Sequence, residues 1–165
     1  MARDALKSLA RRVGARLKKC KLKLATAESC TGGWIAQAVT SIAGSSEWFD
    51  RGFVTYSNQA KKELLGVRAA TLSHHGAVSE ATASEMASGA LRRSLAQIAV
   101  AVTGIAGPGG GTRKKPVGTV CFAWARKKGE IESIVLRFRG NRDEIRRRSV
   151  VFAMRGLIER LKERG

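Results

Sequence analysis

Histidine occurs only twice in the 165 residues, as the neighbours His74 and His75 in a turn before Gly76. Adjacent side chains do not both face one pocket, so both read as surface loop residues and a histidine-based catalytic set finds little support. Cysteine is limited to Cys20, Cys30 and Cys121, an odd number without the short spacings that bind zinc, which argues against a disulfide framework and a structural zinc site. No ligand cluster stands out, so no metal or cofactor is expected. There is no apolar run of about 18 residues, the length that would span a membrane. The basic N-terminus is not followed by the apolar stretch of a secretory signal, which leaves a reducing cytoplasm as the expected location. Aromatic residues are few, with one tyrosine and five phenylalanines, and the basic stretches lack the aromatic interleaving of a single-strand stacking platform. Acidic side chains are scarce too, 13 against 31 Lys and Arg.

The resulting formal charge is +18. It is concentrated at the two ends. Residues 1–23 hold nine basic side chains and the single acid Asp4, and residues 139–165 hold eight arginines and Lys162 against four acids. Such a balance fits attraction of a phosphorylated ligand or nucleic acid, and equally a plain solvated basic surface. Apolar residues make up 44 %, enough for a real core, and the length is that of one domain spanning residues 1–165.

Apolar spacing predicts amphipathic helices over residues 4–19 and 142–163. These end helices are expected to pack on each other or on a partner, and a homo-oligomer is expected. Between them the sequence predicts strands at 22–27, 52–56, 98–102, 117–125 and 131–138, the last two joined as a hairpin through Lys127-Lys128-Gly129. Helices are predicted at 31–43, at 57–66 closed by Gly66, and from Ser79 to about Ala96 with Ser79 as N-cap. The order favours a single-domain α/β/α sandwich with a mixed, partly parallel sheet and a C-terminal antiparallel hairpin.

Four polar clusters follow or flank these elements. The first, Glu28-Ser29-Cys30-Thr31-Gly32-Gly33, lies at a strand-to-helix turn, where a small nucleophile is exposed and helix amides are free for an anion. Ser29 or Thr31 as an ordinary N-cap, with glycines that allow close packing, is the competing reading. The second is Tyr56-Ser57-Asn58 with Lys61. The third is Thr103-Gly104 and the loop to Gly111, with five glycines, dense enough to bring backbone N–H groups to a phosphate or an oxyanion. It lacks the Gly-Lys-Ser/Thr of a Walker sequence. The fourth is Gly140-Asn141-Arg142 with Arg146 at a helix start. A serine nucleophile needs a base, and a lysine serves once burial lowers its pKa. Lys61, four residues after Ser57, is the better candidate, although its spacing also suits an exposed helix lysine. Cys30 is the rival nucleophile.

Taken together, Thr26–Gly33, Thr55-Tyr56-Ser57-Asn58 with Lys61, Gly76-Ala77-Val78-Ser79, Val102–Gly110 and Lys115-Pro116-Val117-Gly118-Thr119-Val120 resemble the CinA C-terminal domain family over nearly the whole chain. The resemblance implies hydrolysis of the carboxamide of nicotinamide mononucleotide to nicotinate mononucleotide and ammonia, without a metal. It implies Ser29 as nucleophile and Lys61 as general base, with Tyr56 beside it. Thr103 and Gly104 would lie near the reacting amide. Gly107, Gly109 and Arg142 would face the phosphate, and Glu28, Thr31, Gly32 and Gly33 would contact substrate. The chain departs from the family's Gly-Asp-Arg-like triplet, with Asn141 at the middle position. Two other expectations stay open: a nucleotide-binding module without catalysis, and a nucleic-acid-binding protein related to competence or DNA damage.

Overall fold

The computed structural model describes residues 2–162. The elements in chain order are α1 (Ala2–Cys20), β1 (Leu24–Glu28), α2 (Trp34–Thr40), a 3-10 turn at Ser45–Glu47, β2 (Phe49–Val54), α3 (Asn58–Leu65), α4 (Ala69–His75), α5 (Glu80–Arg92), β3 (Ile98–Gly104), β4 (Thr119–Arg126), β5 (Ile131–Arg137) and α6 (Arg142–Arg160). The five strands form one sheet in the order β2-β1-β3-β4-β5. β1 runs parallel to both β2 and β3, β4 turns antiparallel to β3, and β5 antiparallel to β4. Helices α1, α2 and α6 cover one face, and α3, α4 and α5 the other.

The two faces differ in side-chain size. In the run Ile98-Ala99-Val100-Ala101-Val102, every side chain is buried, but the large and small ones alternate with the period of a strand. Ile98, Val100 and Val102 join Val120, Phe122 and Trp124 against α1 and α6. Ala99 and Ala101 join Ala25, Ala27, Ala123 and Ala125 against α5, which answers with Ala83, Ala87 and Ala90. Alanine on both sides lets α5 lie close to the sheet. Gly89 extends this closeness to the crossing of α5 with α3: a Cβ there would run into the Leu65 carbonyl, which is backbone and cannot swing aside. Gly89→Ala is therefore expected to force α3 outward at a cost of about 1–3 kcal/mol. Thermal unfolding should report this as a loss of roughly 2–4 °C per kcal/mol.

Side-chain caps set several helix limits. The Ser57 hydroxyl accepts the Ala60 amide, and Gly66, with φ 67°, closes α3. Ser79 accepts the Thr82 amide at the start of α5. Asn141 and Glu144 form a reciprocal capping box on α6. Asn141 thus does what an aspartate in its place would do for the helix.

Some expected boundaries move. β2 starts at Phe49 rather than Gly52, because the Leu24 amide donates to the Trp48 carbonyl and pairing with β1 sets the register from there. Thr55 and Tyr56 then lie past its end. α2 starts at Trp34, not residue 31. α5 ends at Arg92 rather than near Ala96, since the Leu95 amide turns to the Asp50 carboxylate and the Gln97 amide to the Lys23 carbonyl, leading into β3. A further helix, α4, occupies the stretch read as a turn, and His74 and His75 form its last turn. Its N-cap, Arg68, makes no side-chain cap, so no local signal marks the start. α6 ends at Arg160, and residue 163 of the expected helix lies outside the described residues.

Candidate active site

The three parallel strands finish at one edge of the sheet. Glu28 is level with Val54 on one side and Val102 on the other. One step beyond, the Thr55 amide donates to the Glu28 carbonyl and the Ser29 amide to the Val102 carbonyl. This ladder fixes Ser29 between Thr55 and Thr103. α3, capped by Ser57, then points Lys61 back under the edge, where it is only 1 % exposed. Lys61 Nζ lies 2.9 Å from Ser29 Oγ, 2.8 Å from the Thr55 carbonyl oxygen and 3.3 Å from that of Tyr56.

Burial pushes the Lys61 amine below its ordinary 10.5. A neutral amine has two N–H groups and one lone pair. The Thr55 and Tyr56 carbonyls can take the two hydrogens, which leaves the lone pair facing the Ser29 hydroxyl. Cys30 is different: burial pushes its thiol up to about 12, so the thiolate needed for attack is not available near neutrality.

Glu28 does not contact the cleft. Its Oε1 accepts from Thr31 Oγ1 at 2.6 Å and from the Ile35 amide at 2.8 Å, and its Oε2 accepts from the Ala36 amide at 3.1 Å. It caps α2 from the end of β1, in place of the Ser29 or Thr31 cap. Burial pushes its carboxyl up from the ordinary range, while these donors pull it back. The Gly32 amide donates to the Ser29 carbonyl and the Trp34 amide to that of Thr31. The Gly32, Trp34, Ile35 and Ala36 amides at the α2 start are thus committed within the protein. Gly32 and Gly33 take positive φ values of 60° and 99°, which turn the chain into the helix.

The cleft at Ser29 and Lys61 has a volume of about 260 Å³. Besides this pair, the cleft touches Tyr56, Thr103, Gly104, Gly107, Gly109 and Arg142 of the expected residues, but not Glu28, Thr31, Gly32 or Gly33. Tyr56 enters through its backbone: its carbonyl meets Lys61, while the residue as a whole is 63 % exposed and its hydroxyl accepts from Arg142 Nη2 at 3.2 Å. Arg142 also donates to the Gly107 carbonyl at 2.7 Å, tying the glycine loop to α6. Thr103 donates to the Ala77 carbonyl at 2.9 Å, so its hydroxyl holds the 76–79 turn against β3.

Several participants lie inside the quoted motifs without an individual role in the sequence analysis. Ala77, Val78, Ile105 and Ala106 also line the cleft, and the Thr55 carbonyl supports Lys61. Such positions contribute backbone or small apolar surface, which no residue type announces. Arg146 has a place that its position at a helix start did not reveal. It donates to the Cys30 carbonyl at 3.0 Å and the Thr31 carbonyl at 3.3 Å, and its guanidinium lies 5.5 Å from the Trp34 ring centre. It pins the turn that follows Ser29 to α6. Among the described residues, no group of histidine, cysteine and acidic side chains is placed to hold a metal ion.

Fold and cleft together define an α/β protein whose polar site sits at the carboxyl ends of its parallel strands, the usual place for ligands in such sheets. Within that class the chain belongs to the CinA family: the model of the CinA C-terminal domain matches residues 6–161. It is 52 % identical over 157 residues to a protein of Escherichia coli K12 named nicotinamide-nucleotide amidohydrolase PncC, covering 95 % of each chain. It is 54 % identical over 147 residues to a CinA-like protein of Chlorobaculum tepidum, covering 87 % of this chain and 35 % of that longer one. The crystal structure of a competence/damage-inducible protein from Agrobacterium tumefaciens matches with a TM-score of 0.93 and 51 % identity over 96 % of each chain. Among the described residues, no helix is long and apolar enough to cross a membrane.

Proposed function

We propose that this chain is a cytoplasmic amidohydrolase that converts nicotinamide mononucleotide to nicotinate mononucleotide and ammonia. The observation that carries the reading is the 2.9 Å approach of the buried Lys61 amine to the Ser29 hydroxyl inside the cleft. The identity to PncC supports the substrate.

In this mechanism neutral Lys61 takes the Ser29 proton as Oγ bonds to the carboxamide carbon. The oxyanion forms against the glycine loop at Ala106 and Gly107, which line the cleft, while the Gly32, Trp34, Ile35 and Ala36 amides are already occupied. A well-placed donor of this kind is worth about 3–4 kcal/mol. Lys61 passes its proton to the amide nitrogen, the C–N bond breaks and ammonia leaves. Water, deprotonated by the same amine, then attacks the acyl-serine, and the proton returns to Oγ. Arg142 at the cleft mouth takes the ligand's phosphate, as a planar fork of donors suits that group. The test is steady-state ammonia release from nicotinamide mononucleotide by the purified chain. Tight binding of the nucleotide with no ammonia released would instead mark a nucleotide-binding module.

A further inference from the structure

A second cleft, sharing no lining residue with the first, runs between α1 and α6 with a volume of about 700 Å³. Its floor is apolar and partly aromatic. Phe138 and Phe152 lie with ring centres 6.4 Å apart, backed by Phe122, and Val151 continues the surface. Both rings are half-buried, so part of each faces the groove. The rims carry Arg12 from α1 and Arg147, Arg148 and Arg155 from α6. The one carboxylate along the groove, Glu144, is engaged by the Asn141 amide in the capping box. Arg147 and Arg148 donate to the Ala2 and Arg139 carbonyls. Lys7 and Arg11 on the exposed side of α1 extend the positive field beyond the groove.

We infer that this groove binds a single-stranded nucleic acid, with phosphates on Arg12, Arg148 and Arg155 and a base against Phe138 and Phe152. A positive channel with aromatic rings at its floor is the combination that holds single strands. Phe138 stands between Arg137 and Arg139, Phe152 follows Arg146-Arg147-Arg148, and the fold sets the two rings side by side between these charges. Other occupants fit less well. A second copy of this chain carries the same +18 charge. A membrane surface would need an apolar helix face, but Leu6, Leu9, Val13 and Leu17 of α1 are already in the core. A duplex keeps its bases stacked inside and offers none to the floor.

The test is fluorescence anisotropy with a labelled oligothymidylate of about 16 nucleotides, the upper range of such sites. The triple substitution Arg12→Ser, Arg148→Ser, Arg155→Ser is expected to weaken binding at least tenfold and to lower the slope of log affinity against log salt by about two. Lys114→Ser, Lys127→Ser, Lys128→Ser removes the same charge from loops elsewhere and should cost clearly less. Phe152→Leu keeps an apolar floor without a ring and should weaken binding about fivefold with the salt slope unchanged. Circular dichroism and thermal melts of every variant establish that the fold persists. Equal losses from the two triple variants would overturn the inference, as would wild-type binding by Phe152→Leu. A duplex of the same length binding as tightly as the single strand would overturn it too. Competition by polyglutamate as effective as by the oligonucleotide would point to an acidic protein partner instead and equally refute the assignment.

Discussion

Ser29→Ala is expected to lower ammonia release from nicotinamide mononucleotide by roughly 10⁴-fold or more, the scale on which serine hydrolases lose turnover with their nucleophile. Binding of the nucleotide should change little, because the substitution removes one oxygen from a cleft whose other polar groups stay in place. The Ser29 amide remains tied to Val102, so the turn itself has no reason to move. Isothermal titration with the substituted protein and unreacted nucleotide separates the two effects. Cys30 offers no rescue, since burial pushes its thiol up to about 12. A Ser29→Ala protein that turns over at the wild-type rate would rule out the acyl-serine route.

Lys61→Met replaces the amine with an apolar chain of similar length, and turnover is expected to fall by about 10³-fold or more, at the upper part of the range for general bases. Lys61→Arg should be as inactive, because a guanidinium holds its proton and gives the serine no lone pair. The pH dependence follows from the direction of the shift. The working form is the neutral amine, which is populated above its pKa. Burial lowers that pKa from 10.5, so kcat/KM should rise with pH through an inflection below 10.5 and fall away on the acid side. By linkage, the same depression means that the stability Lys61 contributes is complete above 10.5 and is lost as the pH falls through the lowered value. Lys61→Met should flatten that part of the stability profile. A rate profile whose only rising limb lies at the ordinary lysine value would show that the amine is not the base.

How much of this was legible in the sequence depends on how local the signal was. Ser57, Gly66 and Ser79 marked helix ends correctly because each acts on backbone within a few residues of itself. The hydroxyl and the amine are 32 residues apart, and only the parallel pairing of β1 with β2, followed by the short α3, brings them together. Spacing cannot report that, and the family resemblance supplied what spacing lacked. The family resemblance implies that Glu28 contacts substrate. Its real target lies seven and eight residues ahead, at the Ile35 and Ala36 amides, beyond the reach of an ordinary capping pattern. The alternation in β3 was present in the letters, but an unbroken apolar run hides a difference between large and small side chains. Phe138 lies just past the end of β5 and Phe152 in α6, and nothing in their flanks announces that α1 will close a groove over them.

The Glu28 cap has an electrical consequence. The positive pole of α2, which would otherwise open beside the nucleophile, is already discharged by a carboxylate from within the protein. An anion entering the cleft is therefore drawn by the side chains of α6, where Arg142 stands at the mouth, rather than by the α2 pole. A ligand with one charged end and one neutral end has a single favourable heading there: its anionic group toward α6 and its uncharged amide toward Ser29.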